Sequence, residues 1–319
     1  MAVTEVVLAS PRGFCAGVSR AVKAVEDTLG IFGAPVYVKH EIVHNRSVVD
    51  RLTEKGAITV ETLQDVPEGS VVVFSAHGSP QTHYAEARAR KLRLIDATCP
   101  LVTKVHLEFQ RYIKDGYQII YIGHVGHPEG VGVLGEVPEA EVPLVETIAD
   151  VEALTLPVTE KMIYLTQTTL SIDDTRGVIA ALKAKYPTII APPLEDICYA
   201  TTNRQEAVKA LAKEVDLVLV VGSRASSNSN RLVETARAAG AKAELVDSVE
   251  HIDRAWLDGV SRVGITAGAS APEDLVQQIV TFFTDQGATV RELTVKPETM
   301  KFAEPLELMQ IKRERSSKI

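Results

Sequence analysis

Cysteine is scarce in this chain: there are three among 319 residues, Cys15, Cys99 and Cys198. An odd and widely spaced trio does not make the disulfide framework of a small secreted protein, and no two of them form the C-x-x-C pair of a typical zinc motif. Long apolar runs are missing as well. A run such as Leu217–Val221 is far short of the ~20 residues that a spanning helix needs. The opening residues Met1-Ala2-Val3-Thr4-Glu5 hold no basic stretch and lead into no signal-peptide core. These absences lead us to expect a cytoplasmic protein with no membrane association. Positive charge is also in deficit, with 34 Lys and Arg against 42 Asp and Glu, a net charge of −8. That balance argues against a nucleic-acid surface, but not against a small anion held by a few aimed donors.

What is present is an alternation. Apolar, β-branched runs at 3–8, 36–38, 71–75, 92–95, 118–122, 162–165, 189–191, 217–221 and 262–266 read as strands. Between them, amphipathic stretches at 18–29, 45–55, 81–90, 102–114, 172–185, 204–212, 229–239 and 272–286 read as helices. Such alternation predicts an α/β protein with mainly parallel sheets. Each cysteine falls between an apolar run and a helical one, so each is expected in a strand-to-helix turn. A helix N-terminus favours the thiolate, the form that binds metal. Counting onward from each cysteine, two polar loops follow at similar intervals: His44 and His77 after Cys15, His127 and Thr168 after Cys99, Ser226 and Ser270 after Cys198. The expected organisation is therefore three similar small α/β domains, 1–97, 98–197 and 198–286, followed by a C-terminal arm and charged tail, 287–319. Ligands gather beyond the C-terminal ends of parallel strands. Three such units facing one centre would surround a single cavity with three thiols and six polar loops.

Three thiolates suit either an iron–sulfur cluster with one iron left open or a three-cysteine zinc site with an open fourth position. The segment Gly123-His124-Val125-Gly126-His127-Pro128-Glu129 follows a strand and sets a histidine beside an acid, a pairing suited to proton delivery. The repeat interval favours His127 over His124. The segment Ser226-Ser227-Asn228-Ser229-Asn230 opens a helix with hydroxyl, amide and main-chain donors, an anion cradle without the lysine of a Walker loop. His44, His77, Thr168 and Ser270 add neutral or switchable donors, which fits a compact polyanion such as a diphosphate.

Taken in order, the motifs Arg12-Gly13-Phe14-Cys15-Ala16-Gly17-Val18, Glu41-Ile42-Val43-His44-Asn45, Phe74-Ser75-Ala76-His77-Gly78, Asp96-Ala97-Thr98-Cys99-Pro100 and Gly126-His127-Pro128-Glu129 carry a family resemblance. So do Thr166-Gln167-Thr168-Thr169-Leu170-Ser171, Cys198, Ser226-Ser227-Asn228-Ser229-Asn230-Arg231 and Ala267-Gly268-Ala269-Ser270. The chain resembles the 4-hydroxy-3-methylbut-2-enyl diphosphate reductases, oxidoreductases of the last step of the non-mevalonate (MEP) isoprenoid route. The resemblance implies a pseudo-threefold trefoil around a closed cavity, with a [4Fe–4S] cluster held by Cys15, Cys99 and Cys198, open to loss of one iron as [3Fe–4S]. It implies that His44, His77, Ser226, Ser227, Asn228 and Ser270 hold the diphosphate. His127, Thr168 and Glu129 would surround the allylic hydroxyl, with Glu129 as proton source. It further implies reductive dehydroxylation to isopentenyl and dimethylallyl diphosphates, with electrons arriving singly from a ferredoxin or flavodoxin. The rival readings are a zinc hydrolase of a phosphorylated metabolite and a non-enzymatic iron–sulfur sensor.

Overall fold

Leu217-Val218-Leu219-Val220-Val221 shows why strands form where they do: five apolar residues, β-branched at three positions, are buried on both faces. The computed structural model describes residues 3–317. The chain runs β1 (Glu5–Ser10), α1 (Ala16–Phe32), β2 (Val36–Lys39), α2 (Arg46–Glu54), β3 (Ala57–Val60), β4 (Val71–Phe74), α3 (Gln81–Ala89) and β5 (Arg93–Asp96). It continues through α4 (Pro100–Lys114), β6 (Gln118–Ile122), α5 (Pro128–Leu134), β7 (Leu144–Val145), α6 (Ile148–Ala153), β8 (Met162–Thr166), α7 (Ile172–Lys185) and β9 (Ile189–Ile190). The last part holds α8 (Tyr199–Leu211), β10 (Leu217–Val221), α9 (Ser227–Ala238), β11 (Lys242–Val246), β12 (Arg262–Ala267), α10 (Glu273–Thr284), β13 (Thr289–Thr294) and α11 (Leu306–Ser316). Among the described residues no helix is long and apolar enough to cross a membrane.

The α/β class expected from the sequence is what the structure has: three sheets whose strands pair in parallel. Their orders are β3-β2-β4-β5, β7-β6-β8-β9 and β11-β10-β12-β1-β13. The first four positions repeat one plan, in which the second strand of a unit lies at the edge and the fourth follows the third. Side chains alternate across each sheet. Val6, Leu8, Leu219 and Ile265 face Val276, Ile279 and Phe283 of α10. Val7, Ala9, Val218 and Val220 face Val208 and Leu211 of α8 and Leu232 of α9. The sheet of β6–β9 is covered in the same way, with Ile120, Ile122 and Tyr164 on one face and Ile119, Tyr121, Ile163 and Leu165 on the other.

The sheets part from the expected domain boundaries in one respect. β1, which leads to Cys15, pairs with β12 and β13, not with β2–β5. The repeat is therefore two polar loops followed by a cysteine, and the third sheet is completed by the N-terminus. Counting along the chain fixes the period but not where it begins, because the closing pair Val6–Val263 joins residues distant in sequence. The chain groups into two compact units: Met1–Ala16, His44–Val48 and Tyr199–Met300 in the first, and Gly17–Val43, Val49–Cys198 and Lys301–Ile319 in the second. The expected C-terminal arm contains the edge strand β13 and the helix α11.

Arg204, 0% exposed, anchors the Cys15 turn within the first unit. Its Nη2 and Nε donate to the Gly13 carbonyl at 2.7 and 3.1 Å, and its Nη1 donates to Ala200 O at 3.0 Å and Glu298 Oε1 at 2.9 Å. Removing one partner of such a pair strands the other, at a cost of about 3–5 kcal/mol. Arg204→Ala is expected to lower unfolding stability by about that amount, measured by urea denaturation. A loss below ~1 kcal/mol, the scale of an exposed pair, would show that the anchor carries no load.

Candidate active site

Each cysteine sits one residue before a helix: α1 begins at Ala16, α4 at Pro100 and α8 at Tyr199. All three are half-buried and none forms a disulfide. Each is tied through its main chain to the loop after the neighbouring third strand. Cys15 N–H donates to Ala269 O at 3.2 Å, Cys99 N–H to Ala76 O at 3.0 Å and Cys198 N–H to Thr168 O at 3.0 Å. The loops so tied carry Ser270, His77 and Thr168.

The first unit brings together five of the six expected anion-binding residues, His44, Ser226, Ser227, Asn228 and Ser270. Ser226 caps α9, its hydroxyl accepting from Ser229 N–H at 3.3 Å, and Ser227 and Asn228 form the first turn. Ser270 Oγ lies 3.3 Å from Ser226 Oγ and donates to His44 O at 3.1 Å. Asn228 Oδ1 accepts from Ala269 N–H at 2.9 Å. Gly222 and Gly268 permit this crowding: a Cβ on either would meet Ser229 Oγ at 2.3 or 2.1 Å. The result is a set of hydroxyls, an amide and helix N–H groups with no fixed charge among them.

The second unit brings together the expected proton-handling residues. Glu129 lies in the first turn of α5 and is 2% exposed. Thr168 donates to it twice, from its main-chain N–H to Oε1 at 2.6 Å and from its hydroxyl to Oε2 at 2.8 Å. His127 caps the same helix, and its Nδ1 accepts from Glu129 N–H at 3.2 Å. An accepting Nδ1 leaves the ring proton on Nε2. The His77 ring meets the His127 ring edge-on with centroids 6.1 Å apart, and its Nδ1 lies 3.2 Å from Ser75 Oγ. Within this unit the order of contact is Cys99, the His77 loop, His127, Glu129, Thr168, Cys198.

Burial pushes the Glu129 carboxyl up to about 7, against the two Thr168 hydrogen bonds, with Asp196 adding to the rise. An acid so poised holds a proton near neutral pH and can release it. Two neighbours were not anticipated from the sequence. Tyr121, fully buried in β6, has its hydroxyl pushed well above the ordinary range, first by burial and then by Glu129 and Asp196, so it stays neutral. Asp196 accepts from Thr166 N–H at 2.9 Å and pairs with Lys104 Nζ at 2.8 Å. A polar residue inside an apolar strand, as Tyr121 is, was the available signal.

A family profile described as LytB protein matches residues 6–284. The chain belongs to the LytB family. Its sequence is 54% identical to the 4-hydroxy-3-methylbut-2-enyl diphosphate reductase of Aromatoleum aromaticum over 305 residues, 95% of this chain and 97% of that one. Its fold is similar to the solved structure of the E-1-hydroxy-2-methyl-but-2-enyl-4-diphosphate reductase from Plasmodium falciparum, with TM-score 0.95 and 40% identity over 98% of this chain and 99% of that one. A second solved structure, of an (E)-4-hydroxy-3-methyl-but-2-enyl diphosphate reductase described as the terminal enzyme of the non-mevalonate pathway, aligns with TM-score 0.64 and 32% identity over 89% of this chain and 100% of that one. The resemblance to 4-hydroxy-3-methylbut-2-enyl diphosphate reductases read from the ordered motifs is thus borne out by whole-chain similarity.

A raised carboxyl makes stability depend on pH. Between about 4.5 and 7 the folded chain keeps on Glu129 a proton that the unfolded chain has released, so stability falls as pH rises through that window. The full penalty is about 3 kcal/mol. Glu129→Gln is therefore expected to gain on wild type by about 2–3 kcal/mol between pH 5 and pH 8 in urea unfolding. A pH-independent difference would contradict the raised value.

Proposed function

We propose that this LytB-family protein reduces (E)-4-hydroxy-3-methylbut-2-enyl diphosphate to isopentenyl and dimethylallyl diphosphates, with release of water. The observation that carries the proposal is the Glu129–Thr168 pair: a buried acid with a carboxyl near neutrality, gripped by a residue whose own carbonyl accepts from Cys198 N–H. The relatives named above are reductases; neither a zinc hydrolase nor a sensor is among them.

In this reading Cys15, Cys99 and Cys198 would hold a [4Fe–4S] cluster. The donor set suits such a group: three thiols, each at a helix start where a thiolate is favoured, with no fourth cysteine in the sequence. When bound, the cluster supplies the electrons and a Lewis-acidic iron for the substrate hydroxyl. The rest is the work of side chains. Ser226, Ser227, Asn228, Ser270, His44 and His77 bind the diphosphate, aided by the positive end of α9. His127, with its proton on Nε2, and Thr168 orient the substrate hydroxyl. Glu129 gives the proton that lets the hydroxyl depart as water, through Thr168 or through the diphosphate. The balance is two electrons and two protons consumed: one proton completes the water and the other goes to carbon at either end of the allylic unit. Neutral donors suit a cavity that must accept a diphosphate and keep an acid protonated at once. A ferredoxin or flavodoxin is the proposed electron donor.

The test is an anaerobic assay with the hydroxylated five-carbon diphosphate and a strong one-electron reductant. Glu129→Gln is expected to lower kcat by about 10²–10⁴-fold, the usual worth of a positioned acid. Cys99→Ser is expected to lose iron, sulfide and the brown absorbance near ~400 nm of a cubane cluster. Colourless wild-type protein with one bound zinc would overturn the cluster assignment.

A further inference from the structure

α4 buries Val102, Val105, Phe109 and Tyr112, an apolar stripe interrupted by His106, which is 6% exposed. A buried imidazole is costly unless its polar atoms are used. His106 Nδ1 makes a short contact with Glu136 Oε1, just beyond the end of α5. Glu136 is itself buried, at 7% exposure, and its second oxygen accepts from Gln81 Nε2 at 2.9 Å and from Gln110 Nε2. Burial pushes the Glu136 carboxyl up, but hydrogen bonds from His106, Gln110 and Gln81 outweigh it and hold the group below its ordinary range. Beside that carboxylate the imidazole keeps its proton on Nδ1. Nε2 has no hydrogen-bond partner among the described residues.

That bare edge of the ring is packed against main chain. A Cβ at Gly78 would lie 2.5 Å from His106 Nε2. A Cβ at Gly132 would lie 3.3 Å from the same atom and 3.2 Å from the Gly78 carbonyl carbon. Gly78 follows His77. Gly132 is three residues beyond Glu129 on the same face of α5. Gln81 N–H also donates to Gly135 O at 3.2 Å, so the far end of α5 is tied to the start of α3. Two glycines thus admit one ring, and the hydrogen bond to Glu136 holds that ring where the His77 loop and α5 meet.

We propose that His106, held by Glu136, is a positioning residue that sets the spacing between the His77 loop and the first turn of α5 and so aims the Glu129 carboxyl. This rests on Glu129 being the proton source. Misplacement of a reacting group by ~1 Å can cost ~10²-fold in rate, which makes a fixed spacer at this contact consequential.

The experiment compares wild type with His106→Ala, His106→Asn, Gly132→Ala and Glu129→Gln as full-length, anaerobically prepared enzyme, with rates normalised to intact cluster and taken across pH 6–9. Asparagine preserves a donor at the Nδ1 position; alanine removes it. His106→Ala is expected to lower kcat by about 10-fold or more, to change KM little and to displace the pH limb of kcat, while His106→Asn recovers most of the loss. Gly132→Ala gains about 1 kcal/mol of helix propensity against a Cβ approach of 3.2 Å to the Gly78 carbonyl carbon and 3.3 Å to His106 Nε2, so kcat is read beside a melting curve: a lower kcat and displaced limb in protein still folded at the assay temperature is expected and does not arise from unfolding. This variant also serves if His106→Ala does not fold. The proposal is overturned if His106→Ala and Gly132→Ala keep the wild-type kcat and pH limb, or if kcat falls equally in the alanine and asparagine variants with the limb unmoved. Glu129→Gln separates the two ideas. If it behaves as wild type, the proton-source reading fails; if it is impaired while both spacer variants are normal, only the positioning role fails.

Discussion

One main-chain hydrogen bond, made three times, governs the placement of the reactive groups. The N–H of each cysteine donates to a carbonyl just past the end of the neighbouring third strand, that of Ala269, Ala76 or Thr168. Neighbouring parallel strands emerge ~4.8 Å apart at the same edge of a sheet. A thiol on one loop is thereby held within a residue or two of a polar side chain on the next: Cys15 with Ser270, Cys99 with His77, Cys198 with Thr168. No side-chain chemistry is needed to fix these pairs. They follow from strand order, the first four positions of which repeat one plan in all three sheets.

On that frame the second unit keeps an arrangement that works against its own stability. Glu129 is an acid inside a protein, with Tyr121 and Asp196 nearby and no cation among its hydrogen-bond partners. Had burial been the only requirement, a neutral amide would serve better. The two Thr168 donors offset part of the penalty and leave the carboxyl close to neutrality, where it can change state during a reaction. The first unit makes the opposite choice. Ser226, Asn228 and Ser270 present dipoles without a formal charge, and the helix start of α9 supplies the remaining attraction.

Much of this was legible in the residues, and the parts that were not share a cause. Central strands such as β6, β8, β10 and β12 are continuous apolar runs because both faces are covered. The strands that periodicity did not reveal, β3, β7 and β11, lie at sheet edges, as does β13, which fell in the expected C-terminal arm; of the six edge strands only β5 and β9 were legible. Residues such as Ile58, Thr59, Lys242 and Glu244 there are not fully buried, so alternation is weak. α5 was not among the stretches expected to be helical, because Gly130 and Gly132 lower helix propensity, yet Gly132 sits in the helix where His106 approaches. Glu129, His127, Thr168 and the three cysteines announced themselves through local context. Glu136 and Arg204 did not, since a charge buried against a distant partner looks like any surface charge until the partner is known.

The insertion of β1 between β12 and β13 has a consequence for biosynthesis. The strands of the two other sheets are complete by Ile190, so each can assemble while the ribosome is still translating. The sheet that seats Cys15 must wait for a strand ending at Ala267 and then for one ending at Thr294. The earliest thiol to leave the exit tunnel is consequently the latest to acquire its scaffold.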